Sequence, residues 1–245
     1  MKRILLISTL LNLFLVSSSA FSQQTNSIIR MTACNINSGF SMADVVSIAK
    51  DMPWNENSPN GIFFREPVAY TGTTPTWDFL VAAYYNGYAD MVLKRGALRN
   101  LKVGRVGLIG DDIATCSTLG RIIDVHPANP GIIFDDTEAT LMTTRTCELN
   151  EETTPQDAVA IATKMGANLD VSSQVTVRRY GGPSITGNNL INMAFVYSDP
   201  ADFGETLDLI TEGKISPNTG LDNGAAMTCN TGSLWVSHRI HLVNN

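Results

Sequence analysis

The chain has 245 residues, 44% hydrophobic and 16% charged, with a formal net charge of -6 at neutral pH. That much apolar material can build a full core, while an acidic balance without a concentrated Lys/Arg patch speaks against nucleic acid or anionic membrane as a partner. The three histidines and four cysteines show no zinc-ligand spacing, and no Gly-x-Ser-x-Gly, His-Glu-x-x-His or P-loop pattern occurs, so no motif assigns an activity.

The chain opens with Lys2 and Arg3, an uncharged apolar stretch from Ile4 to Val16, and small residues around Ala20 and Ser22. This is the form of a signal peptide over residues 1–22, cleaved after Ala20 or Ser22. The apolar run is too short for a membrane span, which needs about twenty residues. Cleavage removes two positive charges and takes the formal charge to -8. The expected product is periplasmic or secreted, with no membrane anchor left.

The strongest internal signal is a repeat that lays the second half of the chain over the first. One and the same shift puts Cys147 on Cys34 and Cys229 on Cys116, so the two cysteines of each copy are equally far apart. Five of twelve positions are identical between Ser41–Met52 and Thr154–Met165. The expected layout is a first repeat over 23–127, a linker over 128–137 and a second repeat over 138–245, the linker marked by Pro127, Pro130 and Gly131.

In chain order, each copy begins with a strand, Ile28–Asn35 or Thr140–Leu149. An amphipathic helix follows, with Val45, Ile48, Ala49 and Met52, or Ala158, Ile161, Ala162 and Met165, at helical spacing. Ser41 with Asp44, and Thr154 with Asp157, are capping boxes, and Pro155 suits a first helical position. A second strand spans Gly61–Tyr70 or Gln174–Tyr180, and a third, apolar on both faces, spans Thr76–Tyr84 or Asn189–Tyr197. Asn86 and Asp199 are expected to cap a second helix, ending near Gly96 or Gly213. A loop with the second cysteine leads to a last strand, Leu119–His126 or Ser233–Leu242.

The fold class expected from this order is α+β: two ferredoxin-like β-α-β-β-α-β repeats whose open sheet faces pack together as an intramolecular, pseudo-dimeric α/β barrel. Duplication selects Cys34 with Cys116 and Cys147 with Cys229 as disulfides, because one ancestral bond would appear in both copies. Since the repeat replaces a dimer, the chain is expected to be monomeric.

Cys147-Glu-Leu-Asn-Glu151, the Asp-containing helix, Asp78-Phe79 and a late cysteine before the last strand together resemble small proteins of marine bacteria. These are similar to the dimeric α/β barrel group that includes antibiotic-biosynthesis-type monooxygenases and NIPSNAP proteins. The resemblance implies fold rather than activity. This chain departs from it in lacking a Trp in the first helix and in carrying Asn192 where an aromatic residue is expected.

No cofactor and no metal is expected. The leading expectation is an exported protein that binds a small apolar molecule, or a protein partner, between its halves. Trp77, Tyr84, Tyr197 and Trp235 are the aromatic candidates near or beneath that cleft. The alternative is a cofactor-independent monooxygenase-like or isomerase-like enzyme. Its candidate acid/base groups are Asp78, a carboxylate within an apolar strand, and His238, which shares a strand face with Leu234, Val236 and Ile240. Asp78 falls on Ile191 at the repeat shift, so such a role would belong to one half only.

Overall fold

A computed structural model describes residues 27–243 apart from 70–73, 101–109, 119, 130–138, 170, 180–188, 198, 215–225 and 230–231. The expected signal peptide and most of the expected linker lie outside the described residues. The elements run β1 Ser27–Ile36, α1 Met42–Lys50, β2 Gly61–Ala69, β3 Phe79–Tyr85, α2 Tyr88–Asn100, β4 Ala114–Cys116, β5 Arg121–Asn129, β6 Thr140–Leu149, α3 Pro155–Asn168, β7 Ser172–Arg179, β8 Leu190–Tyr197, α4 Pro200–Thr211, β9 Met227–Cys229 and β10 Ser233–Leu242.

Local chemistry accounts for the helix starts. Ser41 and Thr154 each accept from the backbone N–H of the aspartate three residues on, and that aspartate returns a bond to the cap's own N–H. The carboxylates of Asp44 and Asp157 lie 2.8 Å from these cap nitrogens. Asp199 caps α4 through the N–H of Ala201, and Gly213 takes a left-handed φ of 70° just beyond that helix. The start of α2 differs from expectation: the helix begins at Tyr88, and the Asp90 carboxylate reaches back to the Asn86 N–H. It also continues through Gly96 to Asn100, because one glycine weakens a helix without ending it.

All strand pairings are antiparallel, in the order β10-β2-β3-β1-β5-β7-β8-β6, and β6 pairs again with β10, so the ladder closes into a ring of eight. Within it, β5-β1-β3-β2 and β10-β6-β8-β7 run in the same sequence order. The two runs meet where β5 pairs β7 and where β10 pairs β2. Short strands β4 and β9, expected as loop, pair with the ends of β1 and β6. They set Cys116 directly opposite Cys34 and Cys229 opposite Cys147, with Cα atoms 4.0 Å apart in both pairs, and both pairs are bonded.

The helices cover the outside of the ring. Under α1, Val45 and Ala49 pack on Ile62, Phe64, Phe79, Val81 and Ile240. Under α3, Ala158, Ala162 and Met165 pack on Cys147, Ile191, Met193 and Phe195. Both helices straddle a junction between the two runs: Ile240 of β10 lies in the α1 core, and Thr163 of α3 donates to the Ala128 carbonyl of β5 at 2.9 Å. Since β5 extends to Asn129, the first two residues of the expected linker are strand. Each fully buried large side chain in these cores contributes roughly 1.5–3 kcal/mol.

Candidate ligand-binding site

Alternation along the strands assigns the opposite face to the interior of the ring. On β3, Phe79, Val81, Ala83 and Tyr85 face helices, which leaves Leu80, Ala82 and Tyr84 pointing inward. One inner cluster joins Ala82 and Tyr84 to Ile29, Met31, Phe63, Ile123 and Val125. A second joins Leu80 and Trp77 to Trp235, Met142, Ala194 and Val196. Leu80 on β3 and Val196 on β8 are four strands apart round the ring, so the second cluster crosses its interior.

Within that cluster Trp77 and Trp235 stack with ring centroids 6.0 Å apart and planes 2° from parallel. The Trp235 indole N–H donates to the Thr144 hydroxyl at 2.8 Å, which fixes the ring's orientation. Tyr84, also inward, meets the edge of Phe63 at 5.5 Å. Three of the four aromatic candidates therefore share the interior.

Tyr197 does not. It packs under α4, edge-on to Phe203 at 5.2 Å, and burial pushes its phenol above the ordinary range, opposed by hydrogen bonding with the Thr143 and Thr206 side chains. The reason is register. Cys34 stands opposite Phe79 and Cys147 opposite Ile191, so Ile191 of β8 corresponds to Phe79 of β3 rather than to Asp78, one position out of step with the shift that relates the cysteines. Such a slip exchanges the faces of a strand. Tyr197 thus corresponds to Tyr85, which is buried under α2, and Tyr84 corresponds to Val196. Asn192 faces inward, its carbonyl oxygen accepting from the Thr146 hydroxyl at 2.7 Å.

The two acid/base candidates stand away from this interior. Asp78 is exposed, in the bend before β3 rather than within the strand, so the burial that suggested a base is missing. Its carboxylate accepts from the Ile36 N–H at 2.7 Å and its own N–H donates to the Cys34 carbonyl at 3.0 Å, tying this bend to the end of β1. By the corrected register its counterpart is Leu190, not Ile191. His238 pairs with Phe64 across β10 and β2, so it lies on the helix side, with Nε2 3.2 Å from the Glu66 carboxylate. Among the described residues no group of three His, Cys, Asp or Glu could hold a metal ion.

One inward residue was missed by sequence reasoning. Arg65 occupies the middle of β2, between Ser237 on β10 and Leu80 on β3, and is only 7% exposed. One Nη donates to the Tyr84 hydroxyl, and the guanidinium carbon is 6.0 Å from the centroid of that ring. Its Nε is buried with no hydrogen-bond partner among the described residues. The available signal was a charge following directly on the apolar run Gly-Ile-Phe-Phe within one strand, with Glu66 beside it on the other parity.

No family model matches the chain, and no curated protein is similar to it. Solved structures do match. A "putative monooxygenase" from Lactobacillus acidophilus NCFM aligns over 88% of this chain and 95% of its own with a TM-score of 0.54 at 13% identity. An anthrone oxidase-like protein aligns over 89% and 95%, with a TM-score of 0.52 at 10% identity. The likeness is one of fold, that of the dimeric α/β barrel, ferredoxin-like proteins. A mutant chlorite dismutase from Candidatus Nitrospira defluvii aligns over 87% and 92% with a TM-score of 0.44 at 7% identity. Among the described residues no helix is long and apolar enough to cross a membrane, and the two disulfides are compatible with an oxidising compartment.

Proposed function

We propose that this is an exported, monomeric protein made of two tandem ferredoxin-like modules closed into an intramolecular pseudo-dimeric barrel, which holds a small, largely apolar molecule inside. The duplication is supported by two strand runs of equal order, two disulfides of equal sequence separation, 82 in each, and two capping boxes. An eight-stranded barrel has an interior of a size that side chains fill or that one small ligand occupies. The observation that carries the binding reading is the parallel Trp77–Trp235 stack, which places one indole from each half on the inner face. Backbone ladders close both junctions between the halves, leaving no open strand edge there for a protein partner, so a small molecule is the better occupant. An enzyme using Asp78 or His238 is disfavoured, because neither side chain faces the interior.

The test uses the mature, oxidised protein and the neutral fluorophore N-phenyl-1-naphthylamine. Saturable enhancement of its emission is expected, and Trp77→Ala should weaken binding about fivefold, the loss of one aromatic stack. Absence of saturable binding, together with no small molecule retained in native mass spectra of protein from its natural host, would overturn the reading.

A further inference from the structure

We infer that the molecule held in the barrel is an apolar acid, its anionic group bound by Arg65 and the hydroxyl of Tyr84. The inference rests on the binding reading above and adds the chemical class of the ligand.

Arg65 is a full charge held inside the strand ring. Its inward neighbours in the ladder, Phe63, Leu80 and Ser237, carry no charge, and among the described residues no carboxylate pairs with it. The nearest acid in sequence, Glu66, points to the other face and is engaged by His238. Burial of a guanidinium is unfavourable unless its charge and N–H groups are compensated, and for stability alone a neutral side chain of similar volume serves at least as well. Tyr84 satisfies part of the need: it takes one N–H and lends its ring face. The buried Nε has no partner among the described residues.

Those remaining donors suit an oxyanion. A guanidinium offers planar, paired N–H groups that match carboxylate or sulfonate oxygens. The Tyr84 oxygen accepts from Arg65, so its own proton remains available to the same anion. The apolar part of such a ligand is met on the same inner face. Leu80, directly opposite Arg65, belongs to the tryptophan cluster, and Trp235 lies two residues from Ser237, the β10 partner of Arg65. That step along a strand is about 7 Å, so an aromatic or aliphatic body of one or two rings spans from the cation to the indoles.

A matched probe pair tests this on the mature, oxidised protein: 1-anilinonaphthalene-8-sulfonate and N-phenyl-1-naphthylamine, which differ by the sulfonate. The anionic probe should bind at least about tenfold more tightly, the value of one or two hydrogen bonds to a charged group. Arg65→Gln should remove that preference and leave the neutral probe's affinity within about twofold, and Tyr84→Phe should weaken only the anionic probe. Near-UV circular dichroism establishes that each variant is folded. Should Arg65→Gln fail to fold, the wild-type ratio of the two affinities and the Tyr84→Phe effect still decide the matter. Equal affinities for both probes in the wild type, or a preference that survives Arg65→Gln in a folded variant, would overturn the acid assignment while leaving the binding reading intact. Failure of both probes to bind, together with no small molecule retained in native mass spectra, overturns the binding reading itself.

Discussion

Removing one disulfide at a time tests the symmetry of the chain energetically. Each bond joins cysteines at a sequence separation of 82, and on the chain-entropy relation a loop of that length is worth about 4.5 kcal/mol. The two loops, 34–116 and 147–229, do not overlap, so their contributions add. Cys34→Ala/Cys116→Ala and Cys147→Ala/Cys229→Ala should each lower the unfolding free energy by about 4.5 kcal/mol and agree with each other within about 1 kcal/mol. The small extra cost of truncating Cys34 and Cys147, both fully buried, is common to the two variants. The fourfold variant should lose roughly 9 kcal/mol, comparable to the whole stability of an ordinary domain, and be largely unfolded without denaturant. Urea titrations followed by circular dichroism measure all three. A difference above about 2 kcal/mol between the paired variants, or a cooperatively folded fourfold variant, would refute the argument that two equal loops constrain the unfolded chain.

The capping carboxylates and one histidine give pH-dependent predictions. The bonds from Ser41 and Thr154 hold Asp44 and Asp157 below the ordinary carboxylate range, so their contribution is present above about pH 4 and is lost as pH falls through their depressed values. Asp44→Asn with Asp157→Asn should flatten the stability profile in that acid window, and Ser41→Ala or Thr154→Ala should cost about 1 kcal/mol each in urea. His241 stacks on Trp54 with centroids 5.1 Å apart, and burial, then the Lys94 charge, holds it below its ordinary value of 6.5. The unfolded chain therefore takes up a proton there first, so stability falls as pH drops through about 6.5 toward the depressed value of the folded histidine. His241→Phe should reduce that slope in thermal melts; an unchanged slope would assign it to other groups.

Much of the architecture was legible from spacing along the chain. The capping boxes at Ser41 and Thr154, the order of elements and the pairing of Cys34 with Cys116 and Cys147 with Cys229 all depend on residues whose relation is set by sequence separation or by recurrence. The limits of elements were less legible where signals compete, as at Gly96, which α2 passes through, and at Thr76–Asp78, which precede rather than join β3.

What only the tertiary structure decided was which face of each strand looks inward. Alternation with a period of two separates Tyr84 from Tyr85 but does not say which side the helices take, since both faces of these strands are apolar and polarity cannot vote. The ladder between distant strands decides it: Phe79 lies opposite Cys34 and Ile191 opposite Cys147, and that register turns Tyr84 inward while Tyr197 goes beneath α4. The same long-range pairing, of β10 with β2, brings Trp235 to Trp77 and sets Arg65 against Ser237, although these partners come from opposite ends of the chain. Composition and periodicity carry no record of such contacts, because they arise from closure of the ring rather than from any local stretch of sequence.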